Sequence, residues 1–148
     1  MLRRVINRLS VLSALLSCSL IACESQPQPS LPPNFVVSAR QPQAWPRGII
    51  ATTSAPPQIV RIWLSGLAIK PGSTLDGAIA TSTNVASVEV RTAAFSINSS
   101  HVAPGQFRFH TRVLELPPLA RRHTYILDVI ARNTAGVQQV EHARLTME

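Results

Sequence analysis

Tyr125-Ile126-Leu127-Asp128-Val129-Ile130-Ala131-Arg132-Asn133-Thr134-Ala135-Gly136 is the passage that decides the fold. Tyr125, Leu127, Val129 and Ala131 fall on alternate positions. A period of two predicts a strand with one buried face. Asn133 and Gly136 then supply turn chemistry, and Val137 to Met147 reads as the returning strand. The same texture extends toward the N-terminus. Ile59 to Ile69 is a first apolar run, closed by Lys70-Pro71-Gly72. Thr74 to Thr81 is a second, with Leu75, Gly77 and Ile79 alternating. Val85 to Thr92 follows, with Val88 and Val90 on one face and Glu89 and Arg91 on the other. Ala93 to Ile97 is short. Gln106 to Leu116 sets Phe107, Phe109, Thr111 and Val113 against Arg108, His110 and Arg112, and Pro117-Pro118 precedes the sixth run, His123 to Arg132. Seven runs spaced by turn residues predict an all-β sandwich.

The Tyr-led strand and its Asn-x-x-Gly turn resemble the penultimate strand of fibronectin type III and related bacterial Ig-like domains. The resemblance covers residues 58–148 and implies a seven-stranded Ig-like β-sandwich, with the Tyr125 hydroxyl bonded to nearby backbone as a tyrosine corner. The chain departs from antibody domains in lacking both core cysteines. It also lacks a clear Trp on the third strand, and Trp63 on the first is the expected substitute.

Residues 1–22 read as an export signal. Arg3, Arg4 and Arg8 make a basic start, and Leu9 to Ala22 is a run of 14 residues without a charge. That is short of the roughly 20 apolar residues of a membrane span. Leu20-Ile21-Ala22-Cys23 resembles the lipobox of bacterial lipoproteins at all four positions. Leu15-Leu16-Ser17-Cys18 is a poorer match. The resemblance implies cleavage before Cys23, acylation of Cys23, palmitate among the attached chains, and residence in the cell envelope. Several acyl chains hold a protein at a membrane almost permanently. Glu24, in place of Asp, resembles an outer-membrane address in a diderm organism.

The chain carries 14 Lys+Arg and 7 Asp+Glu. Three of the arginines and none of the acids lie within residues 1–22, so the remainder carries +4. A nucleic-acid partner needs a denser basic stripe with stacking aromatics. Eight of the 12 prolines fall within residues 24–57. Proline removes backbone donors and disfavours helix before it, so residues 23–57 read as an extended Pro-rich tether. Phe35-Val36-Val37 and Ile49-Ile50-Ala51 interrupt it. They are expected to dock as short strands, because exposed aliphatic triplets invite aggregation. Trp45, beside Pro46, is expected to cover the core in the same way.

The candidate functional residues are few. His101, His110, His123 and His142 lack the close spacing of a local metal site, so neither a metal nor a cofactor is expected. Asp128 and His142 should face each other across the turn at Asn133–Gly136. An acid–base pair there needs a nucleophile and an oxyanion site, and no nucleophile elbow is present. Arg108, His110 and Arg112 form a basic stripe on the fifth run, with Arg121, Arg122 and His123 near the start of the sixth. Ile126 and Ile130 should face outward, with Val140 beside them, either as an apolar interaction surface or as a face covered by the N-terminal segment around Phe35 or Ile49. In the last strand, alternation turns either Glu141 or His142 inward, so a bulge near them is the alternative that would undo the facing of Asp128 and His142. The sequence therefore points to a non-enzymatic binding or structural module that meets membrane lipid through Cys23 and an envelope protein or anionic polymer through its strand faces. The alternative is a hydrolase or metal-dependent enzyme using Asp128, His142 and a histidine from another strand.

Overall fold

The computed structural model describes residues 31–115, 117 and 123–148. The signal-like segment with Cys18 and Cys23 lies outside them, as do Pro118, Arg121 and Arg122. Ten strands occupy the described residues: β1 (Phe35–Val37), β2 (Ile59–Leu64), β3 (Ala68–Ile69), β4 (Thr74–Thr81), β5 (Val85–Arg91), β6 (Ser96–Asn98), β7 (Ser100–Ala103), β8 (Gln106–Arg112), β9 (Thr124–Asn133) and β10 (Gln138–Met147). They form two five-stranded sheets, in the orders β1-β2-β4-β8-β7 and β3-β10-β9-β5-β6. Both are mixed. β1 joins β2 and β3 joins β10 in parallel, and the other pairings are antiparallel. The architecture is all-β, consistent with a β-sandwich.

Alternation builds the core. Ile62 and Leu64 of β2, Leu75 and Ile79 of β4, and Phe107 and Phe109 of β8 leave the first sheet on one side. Val88 and Val90 of β5, Leu127, Val129 and Ala131 of β9, and Ala143, Leu145 and Met147 of β10 leave the second, and all join one buried cluster. Removing such side chains from water is the dominant stabilising term, roughly 25 cal/mol per Å² of apolar surface. No disulfide links the described residues, so this core and the strand ladders hold the sheets together.

Ten strands stand where the pattern marked seven runs, and two of the three additional strands, β3 and β7, lie beyond residue 58. The run Ile59 to Ile69 breaks at Ser65-Gly66-Leu67, and its halves enter different sheets. Ser65 N donates to Asp76 O on one side of the break, and Thr146 N donates to Leu67 O on the other. Residues 100–103, outside every marked run, form β7; only Ser99 separates it from β6, yet β6 belongs to the second sheet and β7 to the first.

The first sheet also begins before residue 58. Phe35 pairs with Ile62 and Val37 with Leu64, so part of the segment read as tether is an edge strand. Ile49-Ile50-Ala51 forms no strand. Ile49 O accepts from Thr83 N at 2.8 Å and Ala51 N donates to Thr83 Oγ1 at 3.1 Å, while Ile50 remains 90% exposed. Ala55 O is held by Asn84 Nδ2 at 2.6 Å and Asn133 Nδ2 at 3.2 Å. From residue 31 onward the proline-rich segment is therefore attached to the sandwich at several points. Trp45 within it is half-buried.

Candidate functional site

The outer face of the first sheet carries the polar constellation of greatest interest. Arg108, His110 and Arg112 alternate with the buried Phe107 and Phe109 along β8, so all three point to solvent. Pairing of β4 with β8 places Asp76 directly opposite His110. Their side chains meet at 2.6 Å, His110 Nδ1 to Asp76 Oδ1. An ionised carboxylate only accepts, so Nδ1 carries the shared proton. Both partners are well exposed, which limits what the pair adds to stability.

Arg108 and His110, together with Asp76, line an open cleft of about 460 Å³. Its remaining lining comes from Gln41, Trp63, Gly77, Ser100 and Phe109. Gln41 belongs to the stretch between β1 and Ile49, so the segment read as tether forms one wall. Ser100 of β7 contributes from the opposite sheet edge. Trp63 is only 4% exposed, although alternation along β2 turns it away from the core cluster that holds Ile62 and Leu64. It is thus part of an outer-face floor, and not the core tryptophan that the Ig-like resemblance implied. Arg112 does not line the cleft. Its Nε donates to Gly72 O at 3.2 Å, toward the turn before β4.

The second sheet's outer face carries a charge lattice. Asp128 and His142 are direct partners in the β9–β10 register, and His142 Nδ1 lies 2.8 Å from Asp128 Oδ1. Arg91 NH2 approaches the other oxygen of Asp128 at 3.6 Å. On the same face Arg132 NH1 reaches Glu89 Oε2 at 2.7 Å, and Ser96 Oγ donates to Glu89 Oε1 at 2.7 Å. These two hydrogen bonds, the Ser96 hydroxyl first, hold the Glu89 carboxyl below its ordinary pKa. The alternative of a bulge is not what forms: β9 and β10 pair in continuous register from Gln138 to Thr146. Glu141 is the residue on the inner side, level with Val129, and it accepts from Gln139 Nε2 at 3.2 Å.

The expected apolar surface is smaller than its pattern. Ile126 is half exposed and Val140 half-buried, but Ile130 is 2% exposed. Ile130 does point away from the core cluster. Its register partners are Glu89 and Val140, and its neighbours along the strand face are Asp128 and Arg132. Cross-strand neighbours at about 5 Å, with long side chains at the diagonals, enclose such a residue. Ile130 is therefore corrected from a docking residue to the covered centre of the charge lattice.

The two histidine–aspartate pairs lie on opposite outer faces of the sandwich. His110 thus does not join His142, and His101 stacks on Phe107 at 4.7 Å. Among the described residues, no three His, Cys, Asp or Glu side chains gather as a metal site. Asp76 and Gln41 were not singled out by sequence reasoning, and Trp63 was expected in the core and not in a cleft. The signal for Asp76 was present, since it alternates with Leu75 and Gly77, but only the β4–β8 register assigns it a partner.

No family model matches the chain, and no curated protein does. Among solved structures it is similar to the crystal structure of Spo0M, a sporulation control protein from Bacillus subtilis. The identity is 14% and the TM-score 0.47, over 64% of this chain and 50% of that one. The matched part thus spans half the length of that structure.

Proposed function

We propose that this chain is a lipid-anchored protein of a bacterial envelope whose Ig-like domain is a non-enzymatic binding module, with the cleft on the outer face of the first sheet as its binding site. The observation that carries the reading is the cleft itself. Concave sites of a few hundred Å³ with convergent polar groups are the usual places for ligands. Arg108, which makes no ion pair among the described residues, stands at its wall beside the Asp76–His110 pair.

The Ig-like part of the reading draws on strand order. β2-β4-β8-β7 runs in the sense A-B-E-D, and β10-β9-β5 in the sense G-F-C, as in immunoglobulin sandwiches. The anchor draws on Leu20-Ile21-Ala22-Cys23, followed by a proline-rich segment that is laid on the sandwich from residue 31.

Two experiments test this. Metabolic palmitate labelling should be lost in Cys23→Ser; unchanged labelling overturns the anchor, and loss only in Cys18→Ser moves it. A photo-crosslinking residue at Ser100, in the cleft, should yield specific adducts in intact cells, and one at Arg144, on the opposite outer face, should not. Adducts from position 144 alone, or from neither, overturn the cleft as the binding site.

A further inference from the structure

We propose that the cleft takes an acidic saccharide, a sugar chain bearing carboxylates, with Arg108 holding the carboxylate and Asp76 accepting from ring hydroxyls. This rests on the reading of the cleft as a binding site and names its ligand class.

The lining sets the chemistry. Its apolar members, Trp63 and Phe109, are 4% and 6% exposed, so a ligand meets almost none of their surface. The side chains that do reach solvent are Gln41, Asp76, Ser100, Arg108 and His110, all polar. A hydrocarbon ligand or an apolar peptide side chain gains little here, because hydrophobic binding scales with apolar area removed from water. A peptide strand would be taken more readily at a sheet edge, where backbone groups are unpaired.

Arg108 offers a planar fork of donors suited to a bidentate carboxylate. The arginines of the charge lattice on the other face are engaged: Arg91 with Asp128, and Arg132 with Glu89. Arg108 is free of such a partner among the described residues. One oxygen of Asp76 is occupied by His110, which fixes the carboxylate's orientation, and its other oxygen retains acceptor capacity. A bare anion such as phosphate would meet Asp76 as a like charge. A ligand that presents a carboxylate to Arg108 and hydroxyl donors to Asp76 satisfies both. Ser100 and the Gln41 amide add groups that donate and accept, which suits hydroxyls again. The volume of about 460 Å³ falls within the size range of small-ligand sites.

The test is calorimetric titration of the full-length protein in detergent micelles with trigalacturonate. Saturable binding is expected, at least tenfold weaker for the methyl-esterified trisaccharide and at least tenfold weaker for Arg108→Ala. Asp76→Asn should weaken trigalacturonate binding while leaving the thermal unfolding midpoint within a few degrees. Arg144→Ala, on the other sheet, should bind as the parent does. Absence of saturable binding overturns the inference, as does an equal loss in Arg144→Ala or full retention in Arg108→Ala. Competition by inorganic phosphate at the same concentration makes the cleft a generic anion site and also overturns it. Adducts from position 100 without trigalacturonate binding overturn the saccharide and leave the binding module standing; absence of both removes the two together.

Discussion

His142 Nδ1 lies 2.8 Å from Asp128 Oδ1, across two strands whose register sets these residues directly opposite each other. The contact is a strand-face pair, and Arg91 lies beside the same carboxylate. Its energetic role follows from exposure. His142 is well exposed and Asp128 is less so, and cross-strand side-chain pairs contribute roughly 0.2–1 kcal/mol. Asp128→Ala, which removes both partners, is expected to cost about 1 kcal/mol, and His142→Ala about half of that. A double-mutant cycle read by urea unfolding should give a coupling of a few tenths of a kcal/mol. Additive losses would show that the two side chains do not interact in solution.

Gly136 and Gly105 both adopt positive φ, at 81° and 68°, but their surroundings differ. Gly136 closes the β9–β10 turn, where Asn133 Oδ1 accepts from Ala135 N at 3.1 Å and Val137 N at 3.0 Å. A Cβ there meets nothing within 4 Å, so Gly136→Ala bears only the left-handed backbone cost of about 1 kcal/mol. At Gly105 a Cβ would stand 2.5 Å from Thr81 O, a backbone atom that cannot step aside. Gly105→Ala should therefore cost at least about 2 kcal/mol, strain and collision together. Thermal unfolding of the two variants should rank them in that order, and equal midpoints would refute the packing account.

Gly77 faces Phe109 across β4 and β8, and the phenyl ring lies over it. A Cβ at Gly77 would collide with Cε1 of Phe109, so the glycine makes room for a buried ring. Gly77→Ala is expected to destabilise by about 1–3 kcal/mol through overpacking. Combining it with Phe109→Leu should cost less than the two single changes summed, because the smaller side chain vacates the site. A cycle measured by denaturant unfolding that shows strict additivity would contradict this.

Much of the strand pattern was legible because its causes are local. Thr74 to Thr81 was bounded from the sequence with the ends it has as β4. The facing of Asp128 and His142 followed from the adjacent turn, since a tight connection sets the register of the strands it joins. Asp76 and His110 are 34 residues apart, and no turn links β4 to β8, so their pairing depends on sheet order. The outward orientation of Ile130 was legible from its parity. Its burial was not, because that depends on Glu89 from β5 and Val140 from β10. The switch of sheets falls at Ser65-Gly66, a turn-type pair inside the run, but nothing local shows that the chain changes sheets there, since Leu64 and Ile69 are both buried on either side of it. The cleft combines residues from β2, β4, β7, β8 and the Gln41 segment, and no spacing rule joins them.

Glu89 gives the fold a predictable response to acid. Its carboxylate accepts from Ser96 Oγ and is paired with Arg132, and both contacts favour the ionised form, so its pKa in the folded protein lies below the ordinary value of 4.5. A depressed carboxyl pKa contributes stability that is fully present above the unfolded-state value and lost as pH falls through the folded-state value. The contribution should therefore be complete at neutral pH and decline below about pH 4.5. Glu89→Gln removes the charge while keeping an acceptor for Ser96. At neutral pH it should cost about 0.5–1 kcal/mol, the scale of a pair whose arginine is partly exposed. Urea unfolding of the parent and the variant between pH 7 and pH 3 should show two curves that converge as the acid is protonated. A gap that stays constant over that range would mean the glutamate acts through packing alone. A gap that shrinks in 1 M salt at neutral pH would identify the Arg132 attraction as its screened part.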